Sequence, residues 1–233
     1  MVRGRRAGVG RYPRVVKARG MTLQSIELSE PRPVAKRRRA PIDKFGARRV
    51  ELAEAALATL GELGYARTSL REIAENTKFT HGVFHYYFSD KNELICFCVR
   101  HYKAKCVTRY DEVVATARTR EALVDGFLEK LGQTIREEAP MHRLWYDLRA
   151  QALFEEAFRQ DVAEIDKSLE AMVWRILSRF AELGGKQPTI SPGALYGLFD
   201  GLFQKALLGH FAGKAEATPT FLTEVKRLLP IVA

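Results

Sequence analysis

The stretch TSLREIAENTKFTHGVFHYYFSDKNEL, residues 68–94, decides the fold. Thr68 or Ser69 caps an apolar run at helical spacing, Leu70, Ile73 and Ala74, and with Ser69 as the cap Glu72 lies three residues on. That is the spacing of a capping box, in which each side chain satisfies a backbone N–H that the helix start leaves unpaired. A second short helix is predicted from Thr80 to Phe88, and Ser89-Asp90 opens a longer one through Leu94, Cys98 and Tyr102 to about Ala117. Two short helices joined by a tight turn, with a longer helix before them, can set the third helix in a DNA major groove. Phe79, Val83, Phe84, Tyr87 and Phe88 then face inward, and Thr80, His81, Gly82, His85 and Tyr86 face out. Glycine inside a helix costs about 1 kcal/mol relative to alanine. A missing side chain at Gly82 suits the close approach of another backbone, such as a DNA strand. On pattern alone, an ordinary small helical bundle with two surface histidines fits the same residues.

Working outward, Phe45, Leu52, Ala56, Leu60 and Leu63 recur at helical intervals and stop at Gly64, a C-cap residue type. Between residues 42 and 187 Pro140 is the one proline, which leaves that stretch permissive for helix. Further helices are predicted at about 119–137, 140–157, 159–183, 192–211 and 219–229. No segment sustains the period-two alternation of a strand. The expected fold is all-α. It has an N-terminal three-helix helix–turn–helix domain at 45–92 and a larger helical domain at 93–233 for ligand binding and dimerisation.

The chain has 233 residues, 46% hydrophobic and 28% charged, with a net charge of +10. The charge sits at one end. Residues 1–44 hold 13 of the 38 Lys and Arg against three acids, and the remainder balances. Such a basic, apolar-poor tail is expected to be disordered and to meet an anionic polymer or surface. Alternatively it is a solubilising tail, or residues 1–20 precede a natural start at Met21. The apolar runs fall far short of the roughly 20 residues of a membrane span, so no membrane partner is expected. Three close cysteines, Cys96, Cys98 and Cys106, do not make a disulfide framework, which points to a reducing, cytoplasmic setting.

Residues Leu57–Leu94 resemble the DNA-binding domain of the tetracycline-repressor (TetR) family. The resemblance rests on Gly64-Tyr65, Thr68-Ser69-Leu70, Ile73-Ala74, Phe79-Thr80, Gly82 and the run Phe88-Ser89-Asp90-Lys91-Asn92-Glu93-Leu94, in that order and spacing. It implies a dimeric transcriptional repressor that leaves a palindromic double-stranded DNA operator when its C-terminal domain binds a small-molecule effector. The expected DNA contacts are Arg48, Ser69, Lys78, Thr80, His81, Gly82, His85, Tyr86 and Lys91, with Lys36, Arg37, Arg38 and Arg39 from the tail. Two positions depart from the family. Lys78 stands where glycine is usual, which implies a left-handed backbone at Lys78. His85 stands where the family has a phosphate-contacting tyrosine, and histidine too can donate to phosphate. The rival from another class is a non-specific protein that coats the nucleoid or a membrane surface through the basic tail.

Helix 192–211 carries a broad apolar stripe beside Gly193, Gly197 and Gly201, a spacing that lets a second helix come close. The family's dimer interface is a four-helix bundle of its final long helices, which implies a homodimer through these glycines, Leu198, Leu202 and Phe221. A buried intramolecular core helix is the alternative. Along 140–157, His142, Trp145, Tyr146 and Arg149 mix aromatic and polar groups, as a ligand pocket does. Cys98, Tyr102, Phe127 and Phe203 are expected to complete its walls, although a plain core margin has the same composition. Arg149 is expected to pair with Glu155 or Glu156 rather than to face a ligand. No phosphate loop, nucleophile elbow or convincing four-ligand metal set occurs, so neither an enzyme nor a cofactor nor a metal is expected.

Overall fold

A computed structural model describes residues 43–233; the basic run Lys36–Arg39 and the rest of the tail lie outside the described residues. The chain forms α1 (Lys44–Leu63), α2 (Leu70–Glu75), α3 (His81–Tyr87), α4 (Lys91–Cys106), α5 (Asp111–Thr116), α6 (Arg120–Gln151), a 3-10 turn (Glu156–Phe158), α7 (Arg159–Leu183), α8 (Pro192–Phe211) and α9 (Ala217–Val232). No strand occurs among the described residues. The fold is all-α, an N-terminal helix–turn–helix followed by a C-terminal helical domain.

Local chemistry sets most of the boundaries. Asp43 caps α1 by accepting from the backbone of Phe45 and Gly46, at 3.1 and 3.0 Å. Gly64 ends that helix at φ +73°, a conformation other residues rarely adopt. Both arms of the Ser69–Glu72 box form, at 3.2 and 2.7 Å. Asp90, Thr119 and Ser191 cap α4, α6 and α8 with their side-chain oxygens.

Three expectations fail. The segments 119–137 and 140–157 are one helix of 32 residues that runs through Pro140. An interior proline costs a helix about 3 kcal/mol, but here it is packed where α6 crosses α1, over Gly61, and Arg143 just beyond donates to the Gly61 carbonyl at 2.5 Å. Tertiary packing wins over the local penalty. The helix begun at Asp90 ends at Cys106, not near Ala117, and the turn that follows aims Arg109 and Tyr110 inward. Lys78 is not left-handed, since no residue other than glycine has positive φ among the described residues. The α2–α3 turn closes instead through Asn76 and Thr77, whose N–H groups reach Ile73 and Ala74, and through the Thr77 hydroxyl, which accepts from Phe79.

Buried side chains form two clusters. The first joins Leu52, Leu60, Ile73, Phe84 and Phe88 to Leu94 and Val99 of α4, then to Leu144, Trp145 and Leu148 of α6. The second fills the space among α6, α7, α8 and α9. Residues 43–233 lie in one compact unit. The boundary expected at 92/93 therefore falls in the first turn of α4, which lies within a shared core.

Candidate DNA-binding face and effector cavity

Helix α3 turns Phe84 into the core at 0% exposure and presents Thr80, His81, Gly82, His85 and Tyr86 outward, Tyr86 at 73%. A Cβ placed on Gly82 would meet nothing within 4 Å, so nothing inside the protein requires a glycine there. The Nε2 atoms of His81 and His85 face each other at 3.1 Å. One ring must donate and the other accept, so two protons at that contact are in conflict. Glu51 ties Arg48 and Lys78 together at 2.5 and 3.1 Å, and those bonds, Lys78 first, hold its carboxyl below the ordinary range. Arg48 also lies 4.7 Å over the Phe79 ring. Lys91 donates to the Tyr65 carbonyl at 3.1 Å and sits 4.2 Å over that ring, so it spends one of its donors inside the protein. The Ser69 hydroxyl accepts from its own helix start but stays exposed.

Behind this unit lies a cavity of about 80 Å³ among α4, α6, α7, α8 and α9. Five of the expected residues line it: Phe127, His142, Trp145, Tyr146 and Phe203. Three do not. Cys98 is fully buried between α1 and α4, where its thiol donates to the Ala53 carbonyl at 3.6 Å and burial pushes its pKa up. Tyr102 stands behind the wall and donates its hydroxyl to Glu138. Arg149 pairs with Asp200 at 2.5 Å and Asp166 at 3.4 Å, not with Glu155 or Glu156, because the α6 register turns it toward α7 and α8.

The sequence reading missed several lining groups, above all Lys103, Cys106, Arg109 and Asp200. A signal existed. Lys103 continues the buried α4 register Ile95, Val99, where a lysine is out of place. Polar groups at this wall form a chain. Lys103 Nζ meets His142 Nδ1 at 3.2 Å, and His142 Nε2 meets the Tyr102 hydroxyl at 3.1 Å. Tyr102 donates to Glu138, whose two oxygens also receive Arg109 Nη2 at 2.6 and 2.5 Å. Burial, then the charges of Lys103 and Arg109, hold His142 well below the usual histidine range. The imidazole is therefore neutral, and Lys103 at Nδ1 assigns its proton to Nε2. Cys106, Glu138 and His142 lie within 4.8 Å of one another, a spacing a metal could use. Here Arg109 and Lys103 already stand on two of the three.

The family profile "Bacterial regulatory proteins, tetR family" matches residues 52–95, which cover the second half of α1, all of α2 and α3, and the start of α4. Residues 52–95 form a TetR-family DNA-binding domain. The HTH-type transcriptional regulator BetI of Burkholderia thailandensis is 29% identical over 120 residues, 48% of this chain and 58% of that protein. The chain thus matches little more than half the length of that curated relative. Among solved structures, a TetR transcription regulator from Haloarcula marismortui superposes with a TM-score of 0.66 at 18% identity, over 81% of this chain and 99% of that one. FadR from Bacillus subtilis, solved with stearoyl-CoA, gives 0.62 at 17% identity over 77% and 96%. Both extend the shared fold beyond the helix–turn–helix.

In this TetR-family fold, α6 touches the helix–turn–helix and the cavity at once. Its residues His142, Trp145 and Tyr146 face the cavity. Arg143 donates to the Gly61 and Glu62 carbonyls at the end of α1, at 2.5 and 3.2 Å, and Asp147 accepts from the Tyr65 N–H at 2.6 Å. On α8, a Cβ at Gly197 or Gly201 would meet nothing within 4 Å, and Leu198, Leu208 and Phe211 are exposed. A Cβ at Gly193 would meet the Glu170 carboxylate at 3.4 Å, and Leu202 is half-buried. Phe221 departs from the expected interface. It is 4% exposed and packs edge-on against Phe203 at 5.8 Å, inside the protomer. No helix among the described residues is long and apolar enough to cross a membrane.

Proposed function

We propose that this chain is a transcriptional repressor that binds a palindromic operator as a homodimer and leaves it when a small molecule fills the α6–α8 cavity. The observation that carries the reading is the outer face of α3, where donors flank a glycine that has no internal partner. Hydroxyl, imidazole and phenol groups on a short helix suit phosphate and base edges. The open Gly197–Gly201 face, with Leu198 and Leu208 exposed beside it, supports helix-on-helix dimerisation. Chemistry on substrates plays no part in this reading.

Release follows from shared levers. Helix α4 runs from Lys91 at the helix–turn–helix to Lys103 and Cys106 at the cavity wall. Helix α6 holds the end of α1 through Arg143 and Asp147. A ligand that parts α4 from α6 therefore shifts the helix–turn–helix relative to its mate in the dimer. Two half-sites about one helical turn apart tolerate little change in spacing.

The experiment is selection of bound duplexes from a random library with the full chain. Inverted repeats with half-sites about one turn apart are expected. Enrichment without symmetry, with affinity set by salt alone, would replace this reading with non-specific binding through the basic tail.

A further inference from the structure

Among the described residues Lys103 has no counter-ion. It is 3% exposed at the cavity wall, and its Nζ has one hydrogen-bond partner, His142 Nδ1 at 3.2 Å. An ammonium carries three donors and a full charge, and a neutral imidazole nitrogen accepts one bond and offsets no charge. The carboxylates nearby are engaged elsewhere. Glu138 receives Arg109 and the Tyr102 hydroxyl. Asp200 receives Arg149 and the Tyr146 hydroxyl, at 2.5 and 2.9 Å. Asp166 receives the Tyr196 hydroxyl at 2.6 Å. None of them comes within ion-pair distance of Lys103 among the described residues. A buried charge without a partner is expensive, so a protein that keeps one at the wall of a cavity keeps it for something that enters.

We infer that the cavity takes a small monocarboxylic acid with an apolar tail, its carboxylate on Lys103 Nζ and its tail against Phe127, Trp145, Phe199 and Phe203. The inference rests on the reading of this cavity as the effector site. The sign of the charge is what the geometry decides. An aromatic-lined cavity would otherwise suit a quaternary ammonium ion, but Lys103 and Arg109 both stand at this wall and oppose a cation. The Lys103 ammonium already lies 5.3 Å over the Trp145 ring, where such a cation would sit. One unpaired positive charge calls for one negative charge, not for a dianion. Size limits the tail. The cavity, at about 80 Å³, is smaller than the ~150 Å³ that accommodates benzene in an engineered protein core. A chain of several carbons enters only as the flexible Met172 of α7 and the Phe203 ring of α8 at the wall turn aside.

Binding should also move a proton. Burial pulls Lys103 down to about 8, with Cys106, Asp200, Arg109, Glu138 and the neutral His142 around it. Near pH 8 the amine is only partly protonated, and a bound carboxylate holds it protonated.

The test uses the full chain, with hexanoate, its primary amide and choline as probes. Melting curves and calorimetry at pH 7 should show millimolar hexanoate stabilising the wild type, with the amide roughly tenfold weaker and choline inert. Lys103→Met should erase the preference for the acid, and Lys103→Arg should keep it. Should the methionine variant fail to fold, calorimetry of the wild type at pH 8.5 in buffers of different ionisation heat reads proton uptake on hexanoate binding. Equal binding of acid and amide, no binding of the acid, a preference for choline, or binding without proton uptake would each overturn the assignment. All of these readouts are taken without DNA, so a failure of the operator selection would leave them standing, and the reverse.

Discussion

Replacing Lys103 with methionine should make the unliganded chain more stable. Methionine keeps the length and the apolar stem, and removes an ammonium that burial draws from its ordinary 10.5 to about 8. At 1.36 kcal/mol per pH unit, that fall means the folded state bears about 3 kcal/mol for holding the charge at neutral pH. Against it stands the loss of the contact with His142, worth about 1.5 kcal/mol for a charged donor. The net gain is about 1–2 kcal/mol, or roughly 2–8 °C in Tm for a chain of this size. The sign with pH is fixed. A lysine lowered in the folded state binds fewer protons there than in the unfolded chain between about pH 8 and 10.5. Wild-type stability should therefore rise through that window, and the variant should lack the rise. The variant's advantage is full below pH 8 and fades toward 10.5. Urea or thermal unfolding from pH 6 to 10.5 measures it. A variant less stable at pH 7, or a difference that does not change with pH, would show that Lys103 is satisfied where it lies and would remove the basis for an acidic ligand.

Gly82→Ala should raise helix stability by up to about 1 kcal/mol, since the new methyl meets nothing, yet weaken operator binding several-fold in a mobility-shift assay. Unchanged affinity would mean that DNA does not approach there. Gly197→Leu or Gly201→Leu should leave the protomer folded, because each position is open within it, and yield monomer by sedimentation; an intact dimer in both would place the interface elsewhere. Deleting residues 1–42 should lower the slope of log K against log salt by several units for every DNA sequence tested, and an unchanged slope would make the tail a bystander.

Local chemistry in the sequence carries the helix–turn–helix. The caps Asp43, Ser69 and Asp90 and the φ-positive Gly64 each act within a few residues. The inward face Phe79, Phe84, Phe88 follows from helical period, and so does the outward placement of His81, Gly82 and His85. Even the His81–His85 contact is a four-residue spacing on one helix. The single helix through Pro140 was not legible, because a contact with Gly61, far away in sequence, outweighs a local cost. Nor was the cavity. Which of several adjacent stripes on α4 and α6 faces it depends on how the helices cross, and that crossing put Cys98 against α1 and Arg149 against Asp200. Helical period alone says that Lys103 lies on a buried stripe. That every nearby carboxylate is engaged by another group, leaving this ammonium alone at the wall, is a property of residues drawn from α4, α6, α7 and α8, and only their packing decides it.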